Sequence, residues 1–291
     1  MSNAMSAEAP LAHSHIEVKP MTGALGAEVL GVDLTQPLDN DTLKVIRELW
    51  YQYKVLFFRD QDFTPEQHIA FAKNFGDEVQ KPGFVPLLEG YPEIRRQEMN
   101  EYSSIGSDVN WHADDTFLEI PSRCSVLHAL EVPNGKGDTM WINMVAAYEG
   151  LSETMRSILD ELTAVHDLVE QMGPGLLRQY GGERWQSFRD STPPVEHPVV
   201  RTHPDTGEKA LFVNPLMTYK IKDMSDHESE ALLSMIYEHM SKAEYTCRFR
   251  WEKNSVAFWD NRVTAHRGIN DFFPSHRLMH RVAIADNARP R

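Results

Sequence analysis

SVAFWDNRVTAH (residues 255–266) and, after a short connection, HRLMHRVAIA (276–285) decide the fold class. Ser255 to Trp259 is mostly apolar and closes on Asp260-Asn261, so it reads as a strand ending in a turn. His276 to Ala285 reads as the next strand. Just upstream, Tyr245, Cys247, Phe249 and Trp251 alternate with polar or charged residues, the period of two that marks a half-buried strand. Further back, Cys124 to Leu130 and Thr139 to Asn143 read as strands, and Val55 to Phe58 as a short buried one. Gly26 to Leu34 reads as a strand of mixed alternation. Val195 to Thr202 and Ala210 to Val213 flank the turn-rich His203 to Glu208, a hairpin connection.

Helices are fewer. Leu43, Ile46, Trp50 and Tyr53 fall at helical spacing within 42–53. Thr64-Pro65-Glu66-Gln67 is a helix start with a capping box, followed by the stripe Ile69, Ala72, Phe75 and a stop at Gly76. Met155, Ile158, Leu159 and Leu162 mark a third helix, and Ser225-x-x-Glu228 opens a fourth with Leu232, Ile236 and Met240. Strands and helices do not alternate strictly, which disfavours a doubly wound parallel sheet. The expected class is mainly β with helices: a double-sheet jelly roll decorated by α-helices.

The 291 residues suit one large or two small domains. The net charge of −14 disfavours tracking along nucleic acid and docking on anionic membranes. No apolar run approaches the roughly 18 residues of a membrane span. Cys124 and Cys247 exclude a disulfide framework and a cysteine metal motif. With no signal peptide visible, a cytoplasmic location is expected. Residues 1–4 read as a vector remnant, 5–24 as an N-terminal arm, and 170–194, rich in Gly, Arg and Gln without a period, as a lid.

Three groupings can carry chemistry. His112 and Asp114 are two apart, so on a strand both point to one face and can share an ion. His266, beyond the Asp260-Asn261 turn, can supply a third ligand. Two imidazoles and a carboxylate leave open positions that suit non-haem Fe(II) better than tetrahedral zinc. Arg277 and Arg281 also share a face, about 13 Å apart at roughly 3.3 Å per residue. Their planar forks suit carboxylates or sulfonates, although a solvated edge strand would carry the same pattern.

NWHADDTF (110–117), GDTMW (137–141), FWDNRVTAH (258–266) and HRLMHR (276–281) together resemble the taurine dioxygenase / 2,4-dichlorophenoxyacetate dioxygenase family of Fe(II)- and 2-oxoglutarate-dependent oxygenases. The resemblance spans about residues 25–284. It implies a double-stranded β-helix in a single oxygenase domain over 25–291. It implies iron held by His112, Asp114 and His266 as the catalytic centre, with 2-oxoglutarate and dioxygen as co-substrates. The distal carboxylate of 2-oxoglutarate would meet Arg277 and Thr139, with Arg281 nearer the chelating carboxylate and the anionic end of the substrate. Asn110 and Trp111 would line the pocket, though Thr139 and Trp111 also read as ordinary strand and core residues. Halogenating relatives lack the carboxylate of Asp114, so its presence implies hydroxylation. Relatives are commonly dimers or tetramers, which implies a homo-oligomer.

Several positions depart from the taurine enzymes. Lys81 stands for a histidine, Phe84 for a tyrosine and Asp108 for an asparagine, and residue 115 is Asp where small apolar or hydroxyl residues are familiar. Lys81, Phe84 and Asp108, with Arg281, are therefore the expected substrate determinants, and a small carboxylate or another sulfonate fits as well as taurine. Two other classes remain open on the residues alone. One is a zinc- or manganese-dependent hydrolase or isomerase on a similar barrel; the other is a non-catalytic jelly-roll binding protein.

Overall fold

The computed structural model describes residues 15–81, 86–100, 110–168 and 182–291, the side chains of 184, 185 and 188 aside. The first strands are β1 (Glu17–Pro20), β2 (Ala27–Leu30), β3 (Val55–Phe58), β4 (Leu87–Leu88), β5 (Tyr91–Met99) and β6 (Ser122–Glu131). There follow β7 (Thr139–Asn143), β8 (Thr163–His166), β9 (Val195–Pro198), β10 (Val200–Thr202), β11 (Lys209–Leu211) and β12 (Thr218–Ile221). The last four are β13 (Thr246–Phe249), β14 (Val256–Asp260), β15 (Thr264–Gly268) and β16 (Arg277–Ala285). The helices are α1 (Asn40–Tyr53), α2 (Pro65–Lys73), α3 (Met144–Glu149), α4 (Glu153–Leu159), α5 (Gly182–Ser191) and α6 (Asp226–Met240).

The main sheet runs β1-β2-β3-β14-β6-β16-β5-β4, antiparallel throughout except for β2 against β3. A smaller antiparallel sheet, β13-β7-β15, faces it across a buried cluster that includes Phe57, Trp141, Phe249, Trp251, Trp259 and Met279. The two sheets form the jelly roll. The other face of the main sheet is covered by α1 and α2. Trp50 stacks on Phe258 with centroids 4.8 Å apart, and Phe75 lies 4.3 Å from the same ring. Each such fully buried aromatic stabilises the fold by about 1.5–3 kcal/mol.

The period of two sorts the central strands β3, β6, β14 and β16 between these two cores. In β14, Val256 and Phe258 face the helices while Ala257 and Trp259 face the small sheet. In β16, Val282 and Ile284 face the helices and Met279 faces inward. Arg277 and Arg281 share the parity of Met279 and so stand on the inner face. Around this unit, α3, α4 and α6 close a further core with β8, β10, β11 and β12.

The local signals explain the helix starts. Asp39 accepts the Thr42 amide at 2.7 Å before α1, and Thr64–Gln67 and Ser225–Glu228 close their capping boxes before α2 and α6. Several boundaries shift. The 195–202 segment is two strands, because Val199 turns the chain from β8 as partner to β11. The strand expected from Gly26 shortens to Ala27–Leu30, and the third helix ends at Leu159. The expected arm contributes β1, paired with β2. Of the expected lid, 170–181 lies outside the described residues and 182–191 is α5. Both cysteines are free and buried, and burial pushes each thiol up to about 12. Among the described residues no helix is long and apolar enough to cross a membrane.

Candidate active site

His112, Asp114 and His266 converge. One ligand atom from each lies within 4.8 Å of the others, and all three residues are buried. The backbone forces this meeting. His112 and His266 exchange both of their backbone hydrogen bonds, at 2.9 and 2.7 Å, as an isolated antiparallel bridge at the middle residue of β15. The two imidazole centroids are 4.2 Å apart.

The donor set is prepared for a cation. The Nδ1 of His112 donates to the Asn110 carbonyl at 2.8 Å, which leaves its Nε2 as a lone-pair donor. Burial, then the neighbouring His112, pushes His266 well below the ordinary histidine range, so it is neutral at pH 7. Burial alone would raise Asp114, but the Arg281 guanidinium, with His266 and His112, holds it below the ordinary carboxylate range. Two imidazoles and a carboxylate at this spacing fit a divalent metal.

A second layer fixes Asp114. Its Oδ2 accepts from the Ser125 hydroxyl at 2.8 Å, and its Oδ1 accepts from Arg281 Nη1. Asn261 accepts the Trp259 indole N–H at 2.8 Å and the Asp114 amide at 3.3 Å, and donates to Ser125 Oγ at 2.9 Å. The loop after Asp114 is tied down as well. Thr116 Oγ1 meets His166 Nδ1 at 3.0 Å and accepts from Asn214 at 3.2 Å, and the Thr116 carbonyl lies 3.0 Å from His197 Nε2.

Arg277 is buried on the inner face, over Phe272 and against Gly137. A Cβ on Gly137, whose φ is +72°, would stand 3.2 Å from the Phe272 ring and 3.4 Å from the Arg277 side chain, so glycine is required there. Two residues on, the buried Thr139 accepts the Trp251 indole N–H at 2.9 Å. Its hydroxyl proton remains available to an anion. Asn110 serves through its backbone carbonyl. Trp111 is buried, with Arg267 over its ring at 5.4 Å. Lys81, expected among the substrate determinants, is half exposed and pairs with Glu93 at 3.5 Å. Phe84 and Asp108 lie outside the described residues.

Sequence reading missed Ser125, Asn261 and Arg95. The first two are small polar residues inside or beside an apolar run, and nothing in that run distinguishes them. Arg95 lies in Tyr91–Met99, whose charged composition conceals a strand paired on both sides.

The family model described as "Taurine catabolism dioxygenase TauD, TfdA family" matches residues 17–283. The chain belongs to this family. A Pseudomonas putida protein named alpha-ketoglutarate-dependent sulfate ester dioxygenase is 36% identical over 293 residues, covering 98% of this chain and 94% of its own. The solved structure of a taurine dioxygenase from Burkholderia xenovorans matches with a TM-score of 0.80 and 37% identity, over 95% of this chain and 92% of that one. That of AAD-2, in complex with Mn(II) and N-oxalylglycine, matches with a TM-score of 0.79 and 30% identity, over 95% and 99%. As a TauD, TfdA family member the chain is a 2-oxoglutarate-dependent dioxygenase that uses Fe(II) and dioxygen.

Proposed function

We propose that this dioxygenase cleaves small alkyl sulfate monoesters, converting the ester, dioxygen and 2-oxoglutarate to an aldehyde, sulfate, succinate and carbon dioxide. The observation that carries the reading is the convergence of His112, Asp114 and His266 beside two inward arginines of one strand. The choice of a sulfate ester rests on the sulfate ester dioxygenase of Pseudomonas putida, which aligns along nearly the whole chain.

His112 Nε2, an Asp114 oxygen and His266 would hold the iron. When bound there, Fe(II) with 2-oxoglutarate and dioxygen supplies an oxidant able to hydroxylate an unactivated C–H bond. Arg277 and the Thr139 hydroxyl would take the distal carboxylate of 2-oxoglutarate, the first through paired N–H donors. Arg281 bridges from Asp114 toward the anionic end of the substrate, orienting the carbon that bears the ester oxygen. The buried Trp111 would wall the site and exclude water, and Asn110 would orient His112 through its carbonyl.

The test is succinate release and oxygen uptake over a panel of alkyl sulfates, sulfonates including taurine, and aryloxyalkanoates. Alkyl sulfates should give the highest kcat/KM. Taurine or an aryloxyalkanoate outrunning them by a wide margin would refute the substrate assignment.

A further inference from the structure

Arg95 on β5 and Arg281 on β16 are directly opposite one another in the antiparallel ladder. Side chains opposite each other leave from the same face, with Cβ atoms about 4.5–5.5 Å apart. Two like charges in that position repel. Consecutive carboxylates separate them: Asp114 takes Arg281, and Asp115 takes Arg95 through two contacts of 2.8 and 3.3 Å. Asp115 has a left-handed φ of +60°, which an aspartate tolerates, and the Ser122 hydroxyl donates to its Oδ2. Arg95 and Asp115 are both buried, so water does not screen them.

We infer that Asp115 is a specificity-determining residue that neutralises Arg95 and thereby restricts the site to substrates with a monoanionic head group. The inference deepens the function proposed above and rests on Arg281 meeting the substrate. The charges decide it. A divalent iron, Asp114, Arg277, Arg281 and a doubly charged 2-oxoglutarate leave one positive charge for the substrate. A sulfate monoester or sulfonate carries one negative charge and balances it. A phosphate monoester at pH 7 carries about −1.5 to −2 and does not. Without Asp115 the Arg95 guanidinium would add a second positive charge beside Arg281, and a dianion would fit. Rejection by an unbalanced charge is a general route to specificity.

The experiment is an anaerobic optical titration of the Fe(II)–2-oxoglutarate enzyme, which reads binding without turnover. Two pairs of ligands are compared at pH 7.5, where a phosphate monoester is mostly dianionic: butyl sulfate with butyl phosphate, and butanesulfonate with propyl phosphate, its match in length. The wild type should favour the monoanion in each pair. Asp115→Asn should shift both preferences toward the dianion by at least about tenfold, since a unit charge in a buried site acts strongly. The double variant Arg95→Gln/Asp115→Asn should return to the wild-type preference, which a merely structural role for the pair would not produce. Arg95→Gln alone should move the other way, weakening both ligands and the dianion more; it serves where Asp115→Asn does not fold. Unchanged preferences in these variants overturn the inference. Sulfonates binding or reacting better than sulfates would sink the ester reading alone and leave the charge comparison intact. A wild type without preference for either monoanion sinks the inference.

Discussion

Ser125 and Asp114 are joined by a 2.8 Å hydrogen bond that runs from the inner face of β6 to the carboxylate expected on the metal. The serine is fully buried and is itself held by Asn261. Ser125→Ala removes the donor without changing the cavity much, so Asp114 loses one of its restraints. Partners of metal ligands typically contribute about 10–100-fold in metal affinity. Titration of the variant with Fe(II) should show a loss of that order. An unchanged affinity would show that Arg281 and Asn261 suffice to hold Asp114.

Arg277 is the expected partner of the distal carboxylate of 2-oxoglutarate. Replacing it with Gln exchanges a charged, paired donor for a single neutral one, a loss of about 1.5–3 kcal/mol for a hydrogen bond to a charged group. The affinity for 2-oxoglutarate should fall about 10- to 100-fold, with Fe(II) affinity unchanged. Anaerobic titration of the metal-loaded variant reads both quantities. A parallel loss of metal affinity would place Arg277 in the metal site instead.

His68 on α2 and His128 on β6 meet on the helix side of the main sheet, with centroids 6.0 Å apart. Burial, then the charge of His128, lowers His68 to about 3; burial, then the charge of His280, lowers His128 to about 4. Above the ordinary value of 6.5 both are neutral in folded and unfolded chain and contribute no pH dependence. Below it the unfolded chain binds protons that the folded one refuses. Stability therefore falls as pH drops from 6.5 toward about 4, by up to about 1.4 kcal/mol per unit for each histidine. Urea unfolding at pH 7.5, 6 and 5 should show the decline, and His128→Gln should flatten it. Equal slopes in the two proteins would assign the acid sensitivity elsewhere.

Asp260 accepts two hydrogen bonds from Arg262, at 2.8 and 2.7 Å, through both of its oxygens, and lies 3.0 Å from His203. All three side chains are about 1% exposed or less. Asp260→Ala strands a buried guanidinium, which costs about 3–5 kcal/mol. It also loosens the turn that carries Asn261, so metal affinity should fall with stability. Urea unfolding and Fe(II) titration check the two effects. A fully stable variant would show that Asp205, which also accepts from Arg262, is sufficient alone.

Much of this was legible in the residues. The Thr64 and Ser225 capping boxes, the 55–58 strand and the 139–143 strand stand where local chemistry puts them, because a cap or an apolar run needs only its own neighbours. The family motifs around His112, Asp114 and His266 marked the three residues that converge in the candidate metal site. Tyr91–Met99 did not look like a partly buried strand, since its Arg95 is balanced by an aspartate 20 residues away. Lys81, expected among the substrate determinants, pairs with Glu93 at the surface.

By itself, then, the amino-acid order determined the class of fold, the helix starts and the identity of the three candidate metal ligands. Only the tertiary structure decided which carboxylate meets which guanidinium, because strand register brings Arg95 opposite Arg281 and the left-handed turn at Asp115 aims successive aspartates at different partners. Register and turn geometry arise from packing across the whole sheet, and a local stretch of sequence does not contain them.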